Sequence, residues 1–248
     1  MSAHTNLRLE SELDTCYRDA AASTYFRRLR EHPNEMRAKG YDPKGPPLPA
    51  QLTRRCRALT PAQLGVAQRV LDKAAPLLAS FFPGLDSTPP TALNVVVIRD
   101  KHVRRDRPSD ETNCSFTLGR TIVLTPAHYP DTIVHETVHC LQTRFPQVAH
   151  RLYTGQGWVR LDQDVELALP HYIDNPDATL SRPGCFYARQ GRLVYYYGLG
   201  MKVYAHDLAT GSSYTIDPRE RLSFLGCSFR PNQPHELLAE MVDRSYHR

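Results

Sequence analysis

The stretch Ile133-Val134-His135-Glu136-Thr137-Val138-His139-Cys140-Leu141 decides how this chain is read. Ile133, Val134, Val138 and Leu141 fall at helical spacing, which predicts a helix with one apolar face. Positions i and i+4 lie on one side of such a helix, about one turn apart, so His135 and His139 can aim their imidazoles at one ion. Zinc accepts nitrogen donors at about 2.0–2.1 Å and keeps a place for water when three protein groups bind it. Glu136 stands beside the first histidine, where its carboxylate could take a proton from that water. The ion lowers the water's pKa toward ~7. The plainer alternative is a half-buried helix with two hydrogen-bonded histidines. Cys140 is one step past His139 and points about 100° away, so it reads as a packed thiol.

Outward from this helix, Pro130 and Asp131 mark its expected start and Pro146 its end. Upstream, Ala92 to Ile98 is a β-rich run, and Cys114 to Leu118 with Thr121 to Leu124 flank Gly119-Arg120 as a hairpin. Further back, Leu7 to about Lys39 carries a helical pattern stopped by Gly40, and Pro43 to Pro49 reads as a stiff linker. Thr60-Pro61 opens another helix, which Pro76 is expected to kink or end, and residues 82–90 form a break. Downstream, Leu193 to Tyr197, Met201 to His206 and Ser213 to Ile216 read as short strands, and Pro234 to Ser245 as a final helix. The expected organisation is a helical N-terminal region over 1–90 followed by an α+β domain over 91–248.

Two imidazoles leave a catalytic type of site one ligand short. Phe145 occupies the position where a nearby third histidine would stand, and His150 lies beyond Pro146. The last helix offers His235-Glu236-Leu237-Leu238-Ala239-Glu240, with Glu236 and Glu240 again at i and i+4. One carboxylate could bind the ion while the other orients a ligating histidine through its second ring nitrogen. Alone, this pair would read as a charged helix face. Glu166, in Asp162-Gln163-Asp164-Val165-Glu166, is the rival third ligand, and Glu236 is preferred because its supporting carboxylate is correctly spaced.

His135 to His139, followed far downstream by Glu236-Leu237-Leu238-Ala239-Glu240, resembles the zincins with a glutamate third ligand, the gluzincins. The second motif is similar to that of lethal-factor-like metallopeptidases. The chain also resembles uncharacterised HExxH proteins of large DNA viruses, through Gln142 and Asn175-Pro176-Asp177. The resemblance implies a zincin-like fold, one zinc ion, Glu236 as ligand and Glu240 as its support. It also implies hydrolysis of a peptide or protein substrate with Glu136 as general base. The tyrosine of the lethal-factor type corresponds to Phe229 here, so the oxyanion donor is sought among Tyr195, Tyr196, Tyr197, Tyr204, Tyr214, His206 and Arg230.

Composition narrows the alternatives. A hydrophobic content of 41% with 23% charged residues is ordinary for a globular chain. The net charge of +5 is mild, and the clusters Arg27-Arg28-Leu29-Arg30, Arg54-Arg55-Cys56-Arg57 and Lys101 to Arg107 read as solvated faces before they read as a nucleic-acid surface. The six cysteines are scattered with no C-x-x-C pair, which argues against a cysteine zinc site. No apolar leader and no run of roughly 18 apolar residues is present, so a soluble, intracellular protein without a membrane partner is expected. Neither Gly-x-Ser-x-Gly nor a phosphate-binding glycine loop occurs. Two other readings stay open: a non-catalytic, zinc-stabilised binding protein, and a protease acting on nucleic-acid-bound proteins.

Overall fold

The computed structural model describes residues 7–85, 91–102, 114–161, 169, 186–198 and 202–247. Its spine is β3 (Thr91–Ile98). One edge of β3 pairs with β1 (Leu7–Glu10), parallel, and then with β2 (Cys56–Ala58), antiparallel. The other edge pairs in parallel with β5 (Thr121–Leu124), which carries β4 (Phe116–Leu118) as its antiparallel neighbour. The β4–β5 turn holds Gly119 at φ 60, a conformation that an L side chain resists, as the hairpin reading required.

Side chains alternate across this sheet and so separate two cores. Leu93, Val95, Val97, Ile122 and Leu124 enter the core containing α5 (Pro61–Phe81) and α6 (Ile133–Arg144). Val96, Ile98, Phe116, Leu118 and Val123 enter the other, beneath α1 (Leu13–Ala22), α2 (Thr24–Arg30), α3 (Pro33–Ala38) and α4 (Leu48–Arg55). Helices therefore cover both faces of a mixed sheet.

Several local expectations change. Leu7–Glu10 is a strand, because Leu7 and Leu9 alternate with the outward Arg8 and Glu10 and find β3 as partner. The proline linker is shorter than expected, since α4 starts at Leu48 with Pro49 in its first turn. Thr60 caps α5 through a reciprocal capping box with Gln63, and Pro76 sits inside that helix without ending it. Segment 1–90 is not helical throughout: it gives two strands to the central sheet and α5 to the core beneath α6. The helix α6 begins at Ile133, so Pro130 and Asp131 precede it. Pro146 both stops α6 and opens α7 (Pro146–Gly155), which sequence reasoning missed.

The rest of the chain builds a second, antiparallel sheet of β6 (Trp158–Arg160), β7 (Tyr187–Arg189), β8 (Leu193–Gly198), β9 (Lys202–Asp207) and β10 (Ser212–Thr215), paired in sequence order. The hairpin of β11 (Leu222–Phe224) and β12 (Cys227–Phe229) follows. The chain then returns as α8 (Pro234–Tyr246), whose Leu237, Leu238, Met241 and Val242 share the core with Val138 and Leu141 of α6. The architecture is thus mixed α/β, in keeping with the expected α+β class. No helix among the described residues is long and apolar enough to cross a membrane.

Candidate metal centre

Burial of Ile133, Val134, Val138 and Leu141 fixes the rotation of α6 and leaves His135 and His139 side by side. Their Nε2 atoms lie 3.2 Å apart. Glu236, in the first turn of α8, brings Oε2 to 3.7 Å from the His135 nitrogen and 3.8 Å from that of His139. All three donor atoms fall within 4.8 Å of one another, a group that could hold a metal ion. Bonds of about 2.0–2.1 Å in a tetrahedron set ligand atoms roughly 3.3 Å apart, so an ion fits after shifts of a few tenths of an ångström. His139 is buried, while the His135 and Glu236 side chains remain 24% and 22% exposed, which leaves the cluster open on one side.

The donors are held from behind. His139 Nδ1 lies 3.0 Å from Gln142 Oε1, and Gln142 Nε2 donates to the His235 carbonyl at 2.8 Å. Because the Gln142 amide nitrogen is used on that carbonyl, its oxygen accepts the Nδ1 proton of His139 and leaves the Nε2 lone pair free for an ion. One side chain thus fixes a tautomer and joins α6 to α8. A second glutamine secures α8 from its other side: buried Gln233 accepts from the Tyr187 amide at 2.9 Å and donates to the carbonyls of Tyr187 and Tyr195 at 3.2 and 2.7 Å. It bridges β7 and β8 directly before the turn that presents Glu236.

Glu136 is buried, and its Oε2 accepts from the Thr117 hydroxyl at 2.9 Å. Thr117 alternates with Phe116 and Leu118 on β4, so it faces α6 while they face the opposite core. Burial pushes the Glu136 carboxyl up to about 7, against the pull of His135 and Thr117. Burial likewise lowers His139, to about 4. It works against the His135 imidazolium too, but there the Glu236 and Glu136 carboxylates outweigh it and lift the group to about 9. Burial also opposes ionisation of Glu236, yet His139, His135 and His235 hold that carboxyl well below its usual range.

The structure brings together His135, Glu136, His139 and Glu236. It does not bring Glu240 to them: that carboxylate pairs with Arg244 on an exposed part of α8. Asp243 lies on the site's side instead. Its charge helps raise His135, and its Oδ1 lies 3.6 Å from His247 Nε2 as an ion pair along α8. Glu166 and Asn175-Pro176-Asp177 lie outside the described residues, as do residues 103–107 of the third basic cluster.

Apart from Arg230, the expected oxyanion donors belong to strands of the second sheet. Tyr196 stacks on Tyr204 at 5.6 Å and His206 Nδ1 lies 2.8 Å from Ser213 Oγ, while Tyr195 and Tyr214 line a separate cavity. Arg230 has a buried Nε without a partner, and the Tyr197 side chain is outside the described residues. A tyrosine that sequence reasoning passed over stands closer to the question. Tyr153 of α7 is raised well above its ordinary pKa by burial, Tyr187 and the Glu236 carboxylate, and its enclosed hydroxyl has no hydrogen-bond partner. Gln142 had a signal, since it sits three residues past His139 on the same helix side. Gln233 had none.

No family model matches this chain, no curated protein matches it, and no solved structure matches it.

Proposed function

We propose that the chain is a zinc-dependent metallopeptidase of the kind that uses a glutamate as third ligand. The observation that carries this reading is the convergence of His135, His139 and Glu236 beside a buried carboxyl group, Glu136, on one open-sided site. Two imidazole nitrogens and one carboxylate oxygen are a donor set that suits zinc, and three protein ligands are the number found where a position is kept for chemistry. When bound, zinc supplies Lewis acidity: it polarises a carbonyl and makes a water more acidic.

This chain's own groups would do the rest. Glu136, buried and anchored by Thr117, would accept a proton from the attacking water and return it to the leaving amine. Gln142 keeps the His139 proton on Nδ1. The substrate class is a peptide or protein chain.

The test is metal content of the purified protein beside His139→Ala and Glu236→Ala, followed by cleavage of fluorescence-quenched casein by wild type and Glu136→Gln. About one zinc per chain in wild type, lost from both ligand variants, is expected. Casein cleavage should vanish in Glu136→Gln while its zinc remains. A wild type that takes up no zinc, or a Glu136→Gln variant as active as wild type, would sink the proposal.

A further inference from the structure

The face of the second sheet turned toward β11 holds an arginine that no acidic group among the described residues claims. Strand register sets Trp158 opposite Arg189, Arg189 opposite Leu193, and Leu193 opposite Asp207, so these side chains form one row on one face. Tyr195 and Tyr214, both opposite Ala205, form the next row. A cavity of about 470 Å³ opens over them, closed on one side by Leu222 of β11. That volume lies in the range of small-molecule sites.

The charges along this row are unequal. Arg192 is committed to Asp207 through hydrogen bonds of 3.1, 3.0 and 2.6 Å, which cancels both charges. Arg189 has no such partner among the described residues. Its guanidinium carbon rests 5.8 Å from the Trp158 ring centroid, and its Nη1 is enclosed without an acceptor. Nη1 packs beside Gly157: a Cβ there would stand 3.5 Å from it, at ordinary contact distance. A guanidinium with no acidic partner beside an apolar cavity is a charge that an anion can pair with.

We infer that this cavity binds a single carboxylate carried on an apolar or aromatic body. The accessible edge of the Arg189 guanidinium takes the carboxylate, and Tyr195, Tyr214, Leu193 and Leu222 receive the body. Tyr195 is only 5% exposed and is a fixed wall, whereas Tyr214 is 47% exposed and forms the rim. A doubly charged phosphate suits the site less well than a single carboxylate, because Arg189 is the one cation lining it that is not already paired with an acid among the described residues. The site is separate from the metal centre, since none of its residues belongs to that cluster.

Trp158 is the chain's one tryptophan and lies under Arg189, so its fluorescence reports binding directly and independently of metal or activity. The full chain is titrated with 3-phenylpropionate, with the neutral 3-phenylpropionamide, and with inorganic phosphate at matched ionic strength. A saturable change with the carboxylate alone is expected, weakened at least about tenfold in Arg189→Met. Circular dichroism checks that variant's fold. Tyr214→Ala, at the exposed rim, is the second variant and should also weaken binding. An unsaturable response, an equal response to the amide or to phosphate, or unchanged affinity in both variants overturns the assignment.

Discussion

At the scale of single residues, the side chains behind the ligands matter as much as the ligands. Gln142 is not one of the candidate donors, yet it sets the tautomer of His139, which is. Replacing it with leucine keeps the helix and its apolar packing but removes the acceptor for His139 Nδ1. Zinc affinity should fall about 10–100-fold, as is usual when such a supporting group is lost. Competition against a chromophoric chelator measures this. The same titration on Glu240→Ala should match wild type, because Glu240 faces solvent with Arg244. A loss there comparable to that of Gln142→Leu would mean that α8 is rotated from the orientation described here.

At the scale of elements, the centre depends on how α8 is moored. Its Leu237, Leu238, Met241 and Val242 pack against α6, but they fix rotation about the axis better than height along it. Gln233 supplies the longitudinal constraint by standing between β7 and β8. Gln233→Leu would leave one buried amide and two carbonyls short of partners, at a cost of about 2–4 kcal/mol. Urea unfolding gives that number, and the variant should also bind zinc more weakly although it lost no ligand. Unchanged stability would show that the loop before α8 is held by other means. For α5, Thr60→Ala removes the capping box and should cost about 1 kcal/mol without touching metal affinity.

At the scale of the molecule, an ion would tie α6 to α8 across a core that is already complete. Val138, Leu141, Leu237 and Leu238 are buried together in one apolar cluster. Chelation should therefore leave the folded secondary structure in place and lower Tm. Zinc at a hundredfold excess over Kd adds about 2.7 kcal/mol. For a chain of this size each kcal/mol moves Tm by roughly 2–4 °C, so a rise of about 5–10 °C is expected by differential scanning calorimetry. Collapse of the circular dichroism signal on chelation would instead favour the non-catalytic, zinc-stabilised reading.

Local periodicity carried part of this protein in its sequence. The spacing of Val134, Val138 and Leu141 specified a helix face, and that face put His135 and His139 together, because i and i+4 are neighbours on any α-helix. The hairpin at Gly119, the cap at Thr60 and the final helix were legible for the same reason: each depends on neighbours within a few residues. Tertiary structure alone decided the rest. Leu7–Glu10 became a strand because β3 was there to pair with it, and strands of three residues such as β6 and β7 are too short to show a period. Glu236 could be suspected as a ligand, but its separation from Glu240 in role came from the rotation of α8 against α6. Gln233 reaches Tyr187 and Tyr195 across a distance in sequence that no pattern spans. Contacts of that kind are set by how apolar faces pack, and packing is a property of the whole chain.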